Sequence, residues 1–147
     1  MKPDEPQSLA FRFFVAYWRL GRRLKDHLDP LLIERYGLEL KDYLVLGSIY
    51  RGYDYPTELA ELLDMPKDMV SRIIHKLSRE GLLLRSIDDG DSRKTKLSIS
   101  DKGIELRHKI RQDIQASLEP GLEHLGHPQS EALISALEHL SEHIASS

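Results

Sequence analysis

Residues 67–99, KDMVSRIIHKLSREGLLLRSIDDGDSRKTKLSI, carry two hydrophobic periods in succession, and their order decides the fold. From Lys67 to Arg79, Val70, Ile73, Ile74 and Leu77 recur at three- and four-residue steps, one face of an amphipathic helix. Lys67, Asp68, Ser71, Arg72, His75 and Lys76 fall elsewhere on that wheel, toward solvent or a ligand. Gly81 is placed to end the helix in a left-handed conformation. The period then drops to two. Leu82 to Ile87 and Thr95 to Ile99 read as short strands, with Leu97 and Ile99 alternating against Lys96 and Ser98. Between them Asp88-Asp89-Gly90-Asp91-Ser92-Arg93-Lys94 is rich in turn formers, which makes the pair a hairpin with a charged tip.

Upstream, Pro56 suits the first turn of a short helix, Thr57 to Leu63, that buries Leu59, Ala60 and Leu63. Asp64-Met65-Pro66 turns it into the helix at Lys67. A helix over Lys41 to Tyr50 precedes it, with Tyr43, Leu44, Leu46 and Ile49 apolar or aromatic, and Gly52 ends it. Residues 8–28 form a long amphipathic helix on Leu9, Phe13, Tyr17, Leu20 and Leu24, with Arg12, Arg19, Arg22, Arg23 and Lys25 on other faces. Pro30 falls near its end, and Gly37 breaks a short continuation through Leu31, Leu32 and Tyr36. Downstream, Ser100 caps a long helix over about residues 101–118, and Asp101 in its first turn favours the helix dipole. Pro120-Gly121 interrupts or ends that helix. Pro128 opens a last helix over about 129–145, with Leu133, Ile134, Leu137, Leu140 and Ile144 on one side.

The fold class that follows is mostly α with a small β-hairpin: a winged helix-turn-helix flanked by N- and C-terminal helices. No internal repeat or long linker divides the chain, so residues 1–147 read as one domain with a winged lobe at 41–100. No apolar run approaches the roughly 18–20 residues of a membrane span. The polar start Met1-Lys2-Pro3-Asp4-Glu5-Pro6 lacks the apolar centre of a signal peptide, so a cytoplasmic location is expected. The chain contains no cysteine, which excludes disulfides, thiolate metal sites and cysteine chemistry.

Net charge is −3, yet residues 67–96 hold eight Lys/Arg against five Asp/Glu. Charge at the contact surface, not the total, governs binding to a polyanion. A major groove admits one helix while the preceding helix braces it on the backbone. In that arrangement Arg72 reaches guanine, Lys67 and Lys76 suit phosphates, and Ser71 and His75 suit either. The hairpin tip reaches an adjacent minor groove, where an inserted arginine responds to groove width. A basic helix face is also an ordinary solvated surface, and winged helices also bind proteins, so a protein-interaction module stays open as the alternative.

Thr57-Glu58-Leu59-Ala60, Met69-Val70-Ser71-Arg72 and Leu77-Ser78-Arg79-Glu80-Gly81-Leu82 with Arg85 resemble the core of the MarR family. Asp91-Ser92-Arg93-Lys94 resembles that family's wing signature, an Asp and an Arg one residue apart, and Leu97 to Gly103 resembles the strand leading into its long helix. The resemblance implies a double-stranded DNA partner, a pseudo-palindromic operator and a homodimer built on helices at 8–36 and 101–147. It places Arg93 in the minor groove and gives Asp91 the task of shaping the loop, with Lys94 beside them. Many members carry a further basic residue where this chain has Ser92. Asp88 and Asp89 would repel phosphate unless they pair with Arg85, Arg93 or Lys94. The family also implies repression relieved by a small aromatic effector, for which Phe14, Tyr17, Trp18, Arg22 and Tyr43 are the candidate lining. Aromatics at helical spacing equally form plain core.

Catalysis is not expected: there is no glycine-rich phosphate loop, no Gly-x-Ser-x-Gly and no His-Glu-x-x-His. No cofactor is implied. His139 and His143 share a helix face, with His124 and His127 upstream, but such pairs on a Glu-rich helix are usually solvated, and no metal is assigned.

Overall fold

The computed structural model describes residue 6 and residues 8–145; the remainder of the polar start (1–5 and 7) and residues 146–147 lie outside the described residues. Among the described residues six helices and one hairpin follow in order: α1 Leu9–Tyr36, α2 Leu40–Tyr50, α3 Pro56–Leu63, α4 Lys67–Arg79, β1 Leu83–Ile87, β2 Thr95–Ile99, α5 Asp101–Leu125 and α6 His127–Ala145. The described residues divide into two compact units, one up to residue 110 and one from residue 111 onward.

In the first unit each element surrenders one apolar stripe to a common core. α4 buries Val70, Ile73, Ile74 and Leu77, the four residues its periodicity marks. Val45, Leu46 and Ile49 come from α2, Leu28 and Leu32 from α1, and Leu82, Leu83 and Leu97 from the hairpin region. Of the three residues expected to be buried in α3, Leu59 is fully buried, while Ala60 and Leu63 are half-buried. Each fully buried leucine or isoleucine contributes about 2 kcal/mol over an exposed one, so the stripes account for the helix faces that turn inward.

The turn between α3 and α4 is made by Asp64 in the left-handed region (φ 51°), with Met65 N–H donating to Ala60 O at 3.0 Å. Gly81 follows α4 at φ 77°, as its position implies. The hairpin is antiparallel, pairing Leu83 with Ile99 and Ile87 with Thr95. It is pinned at its base: Leu97 N–H donates to Asp54 O (2.7 Å) and Ser100 N–H to Leu82 O (3.0 Å). Ser100 Oγ accepts from Gly103 N–H at 3.1 Å, which caps α5, and donates to Gly81 O at 2.6 Å. Gly103 packs where a Cβ would lie 2.3 Å from Leu82 O, so the start of α5 touches the chain entering β1 backbone to backbone.

Two helix boundaries differ from the sequence expectation. α1 does not end near Pro30 but runs through it to Tyr36. Proline removes one helical N–H, yet Leu28 and Leu32 on either side are both buried and hold the two turns in line. α5 likewise does not stop near residue 118 but continues through Pro120 and Gly121 to Leu125. Both residues are exposed, so the missing hydrogen bond meets water and no packed neighbour.

From Ser8 to Arg23 every residue of the α1 segment is exposed, including Leu9, Phe13, Tyr17 and Leu20 of the expected stripe; Leu24 is half-buried. That stripe does not serve the protomer's own core. In the second unit Ser130 is buried and its Oγ donates to Leu122 O at 3.1 Å, while Leu133, Ile134, Leu137, Leu140 and Ile144 are all exposed. Among the described residues no helix is long and apolar enough to cross a membrane.

Candidate nucleic-acid interface

α4 turns the opposite side from its buried stripe toward solvent. Lys67, Asp68, Ser71, Arg72 and His75 are exposed together on it. Its N-terminus follows Pro66, which supplies no side-chain cap, so first-turn N–H groups stay available to an anion. The Arg72 guanidinium rests on Asp68, with Nη2 3.6 Å from Oδ2 and Nε 3.4 Å from the Asp68 carbonyl oxygen. Both side chains are largely exposed, and a pair of that kind is readily exchanged for a ligand.

Lys76 stands apart from this group. Its ammonium lies 2.9 Å from Asp42 Oδ2, and Asp42 is only 2% exposed. The same carboxylate oxygen accepts Glu39 N–H at 2.9 Å, closing the first turn of α2. Lys76 therefore ties α4 to α2 and does not join the outward face, because a carboxylate withdrawn from water requires a cation beside it.

The wing tip is organised by two aspartates. Asp91 Oδ1 accepts both the backbone N–H (3.0 Å) and the Nε–H (3.2 Å) of Arg93, so acid and arginine meet as the resemblance of the wing implies. Arg93 is still 90% exposed beyond that contact. The Arg93 backbone N–H and then its guanidinium hold the Asp91 carboxyl below the usual range. Asp88 Oδ2 accepts Gly90 N–H (3.0 Å) and Asp91 N–H (2.9 Å), while Tyr55 OH donates to Asp88 Oδ1. The Tyr55 bond is the main reason the Asp88 carboxyl titrates low; the same bond pushes the phenol up to about 12. Lys94 Nζ sits 5.6 Å from the centre of the Tyr55 ring. A groove of about 410 Å³ runs between Tyr55–Glu58 and Arg93–Thr95.

Asp88 thus finds Tyr55 and the loop backbone, and Arg85 takes neither aspartate: its Nε donates to Ser78 Oγ at 3.1 Å. Tyr55 and Asp42 are partners of the wing and of α4 that pattern reading missed. Asp88-Asp89-Gly90 carries the signal of an Asx turn, but nothing local marks Tyr55, 33 residues away, as its partner. Arg107 was missed as well: it is 8% exposed and its guanidinium carbon lies 3.9 Å from the centre of the Tyr50 ring.

Of the candidate effector residues, Phe14, Tyr17, Trp18 and Arg22 are exposed on α1 and Tyr43 is half-buried on α2. An open cavity of about 510 Å³ between α1 and α2 is lined by Gly21, Leu24, Lys25, Asp29, Glu39–Lys41, Leu44 and, from α4, Met69; none of the five lines it. Among the described residues no three His, Asp or Glu side chains stand close enough to hold a metal ion.

The family model described as "MarR family" matches residues 36–94, which spans the end of α1, the helix-turn-helix and the wing arginine. The HTH-type transcriptional regulator MhqR of Bacillus subtilis (strain 168) is 26% identical over 111 residues, covering 75% of this chain and 76% of that protein. The fold of S. aureus MepR in its DNA complex superposes with a TM-score of 0.80 at 18% identity, over 93% of this chain and 99% of that one. CouR of Rhodococcus jostii RHA1, solved with p-coumaroyl-CoA bound, superposes with a TM-score of 0.77 at 19% identity, over 95% and 96%. Residues 36–94, the helix-turn-helix and the wing tip, thus match the MarR family model, and the fold is that of a winged helix-turn-helix protein.

Proposed function

We propose that the protein is a homodimeric, sequence-specific DNA-binding transcriptional regulator that acts in the cytoplasm as a repressor. One observation carries the reading: an exposed polar face on α4 stands in the same lobe as a wing whose tip presents Arg93, held by Asp91. α4 enters the major groove with Arg72, Ser71 and His75 toward base edges and Lys67 toward phosphate. Asp68 steers Arg72. Arg93, with Lys94 beside it, enters the neighbouring minor groove.

The second copy covers the apolar surfaces that one protomer leaves in water, the aromatic face of α1 and the Leu/Ile face of α6. Two-fold symmetry then sets half-sites roughly 10 base pairs apart. A small aromatic acid or thioester, bound against Phe14, Tyr17, Trp18, Arg22 and Tyr43, would favour a protomer spacing that does not fit the operator and so release it. The likeness to CouR, itself bound to an aromatic acyl-CoA, supports that effector class.

The test is binding to DNA from the gene's own upstream region against scrambled DNA over a salt series. Selective binding with a steep salt slope is expected. A purified dimer that prefers no site over random DNA at low salt overturns the reading.

A further inference from the structure

We propose that Tyr55 is the positioning residue of the wing arginine, acting on Arg93 through Asp88 and Asp91 without touching DNA itself. The inference rests on the reading of Arg93 as a DNA contact.

Tyr55 is the residue immediately before α3, and its backbone carbonyl accepts Leu59 N–H at 3.1 Å, so it belongs to the rigid helix-turn-helix and not to the wing. Its hydroxyl donates across 33 residues to Asp88 Oδ1. The other oxygen of that carboxylate gathers Gly90 N–H and Asp91 N–H, which fixes the turn carrying Asp91. Asp91 Oδ1 in turn takes both the N–H and the Nε–H of Arg93. Three successive contacts therefore run from α3 to the arginine, each through a carboxylate that accepts charge-assisted bonds. The chain of bonds matters because the tip has few other holds. Its residues from Asp89 to Gly90 and from Ser92 to Lys96 are exposed, and an arginine 90% exposed on a seven-residue turn would otherwise sample many orientations. The Tyr55 ring lies under the Lys94 ammonium, so one aromatic side chain governs the backbone of the loop by its hydroxyl and a second basic residue by its face.

Tyr55→Phe separates these roles, since it deletes the hydroxyl and keeps the ring. The experiment measures operator affinity for the full-length protein, Tyr55→Phe, Arg93→Ala and the double variant, together with amide hydrogen exchange of residues 88–94 in the free protein. Tyr53→Phe, at an exposed neighbour, is the control. Tyr55→Phe is expected to weaken operator binding about tenfold, the scale of one charge-assisted hydrogen bond. It should speed exchange at Gly90, Asp91 and Arg93, and add nothing to the loss in Arg93→Ala. A merely structural role would lower the melting temperature and add its effect to that of Arg93→Ala. Additive losses, unchanged exchange in the wing, or wild-type affinity in Tyr55→Phe would each overturn the proposal. If Arg93→Ala itself binds the operator normally, the wing reading fails with it, and the exchange data in the free protein show that separately.

Discussion

Lys76 and Asp42 form an ion pair, Nζ to Oδ2 2.9 Å, between α4 and α2. A basic residue in the last turn of α4 is thereby committed to a partner within the protein. Lys76→Met leaves a carboxylate 2% exposed without its cation and should lower stability by about 2 kcal/mol, less than for a fully buried pair because Lys76 keeps a third of its exposure. Adding Asp42→Asn should recover most of that loss, since the amide oxygen still accepts Glu39 N–H. Urea unfolding at fixed protein concentration measures both, and equal stabilities for wild type and Lys76→Met would remove the pair from the account of the fold.

On DNA the same relationship predicts a contrast between two lysines. Lys67→Ala should reduce the slope of log affinity against log salt by about one, as loss of one phosphate contact does. Lys76→Ala should leave that slope almost unchanged, because its charge is already neutralised by Asp42. Equal slopes for the two variants would contradict the placement of Lys76.

Gly103→Ala tests the contact between α5 and the chain entering β1. In an ordinary helix this change stabilises by about 1 kcal/mol. Here the new methyl would stand 2.3 Å from Leu82 O and 2.7 Å from Ile99 Cγ1, and neither is the free end of a flexible side chain. Overpacking should win, with a net loss of about 2 kcal/mol and a lower melting temperature. An unchanged or raised melting temperature would refute the close approach.

The wing should loosen at both extremes of pH, for opposite reasons. Asp88 and Asp91 titrate below the usual 3.8, so their bonds support the wing fully above that value and are lost as pH falls through the depressed ones. Tyr55 is raised to about 12, so its contribution is complete below 10 and disappears as pH rises toward 12. Tyrosine absorbance followed through pH 12 should show a phenol ionising well above the usual 10, and Tyr55→Phe should abolish that step. A titration in Tyr55→Phe that keeps the late step assigns it elsewhere.

The aromatic face of α1 should report assembly. Phe13 and Tyr17 stack with ring centres 6.1 Å apart on an exposed helix. Phe13→Glu with Tyr17→Glu should give a species of 16.9 kDa by sedimentation, where the unaltered protein gives twice that, with the far-UV spectrum largely kept. Trp18, the chain's one tryptophan, should emit further to the red in this variant than in the unaltered protein. A double variant that remains a dimer would move the interface away from α1.

Much of the lobe was legible because its signals are local. The stripe Val70, Ile73, Ile74, Leu77 gave α4 with both ends, Pro56 opened α3, and Gly81 and Ser100 bracketed the hairpin. Local signals misled at Pro30 and Pro120, where a residue that breaks isolated helices is carried by the turns on either side. The wheel of α4 also listed Lys76 with the outward residues, since a wheel shows which side a residue lies on but not what meets it there.

Sequence by itself determined the order of elements, the buried stripe of α4, the charged turn at 88–94 and the absence of cysteine chemistry, because each follows from spacing within a few residues or from composition; the Asp91–Arg93 unit was implied by the resemblance of the wing. Tertiary structure alone decided that Lys76 answers Asp42, that Tyr55 holds Asp88, and that the start of α5 closes on Leu82 through Gly103. Those partners lie 34, 33 and 21 residues apart, and a carboxylate can be matched to its donor, or one stretch of backbone to another, only when folding has brought the two to the same place.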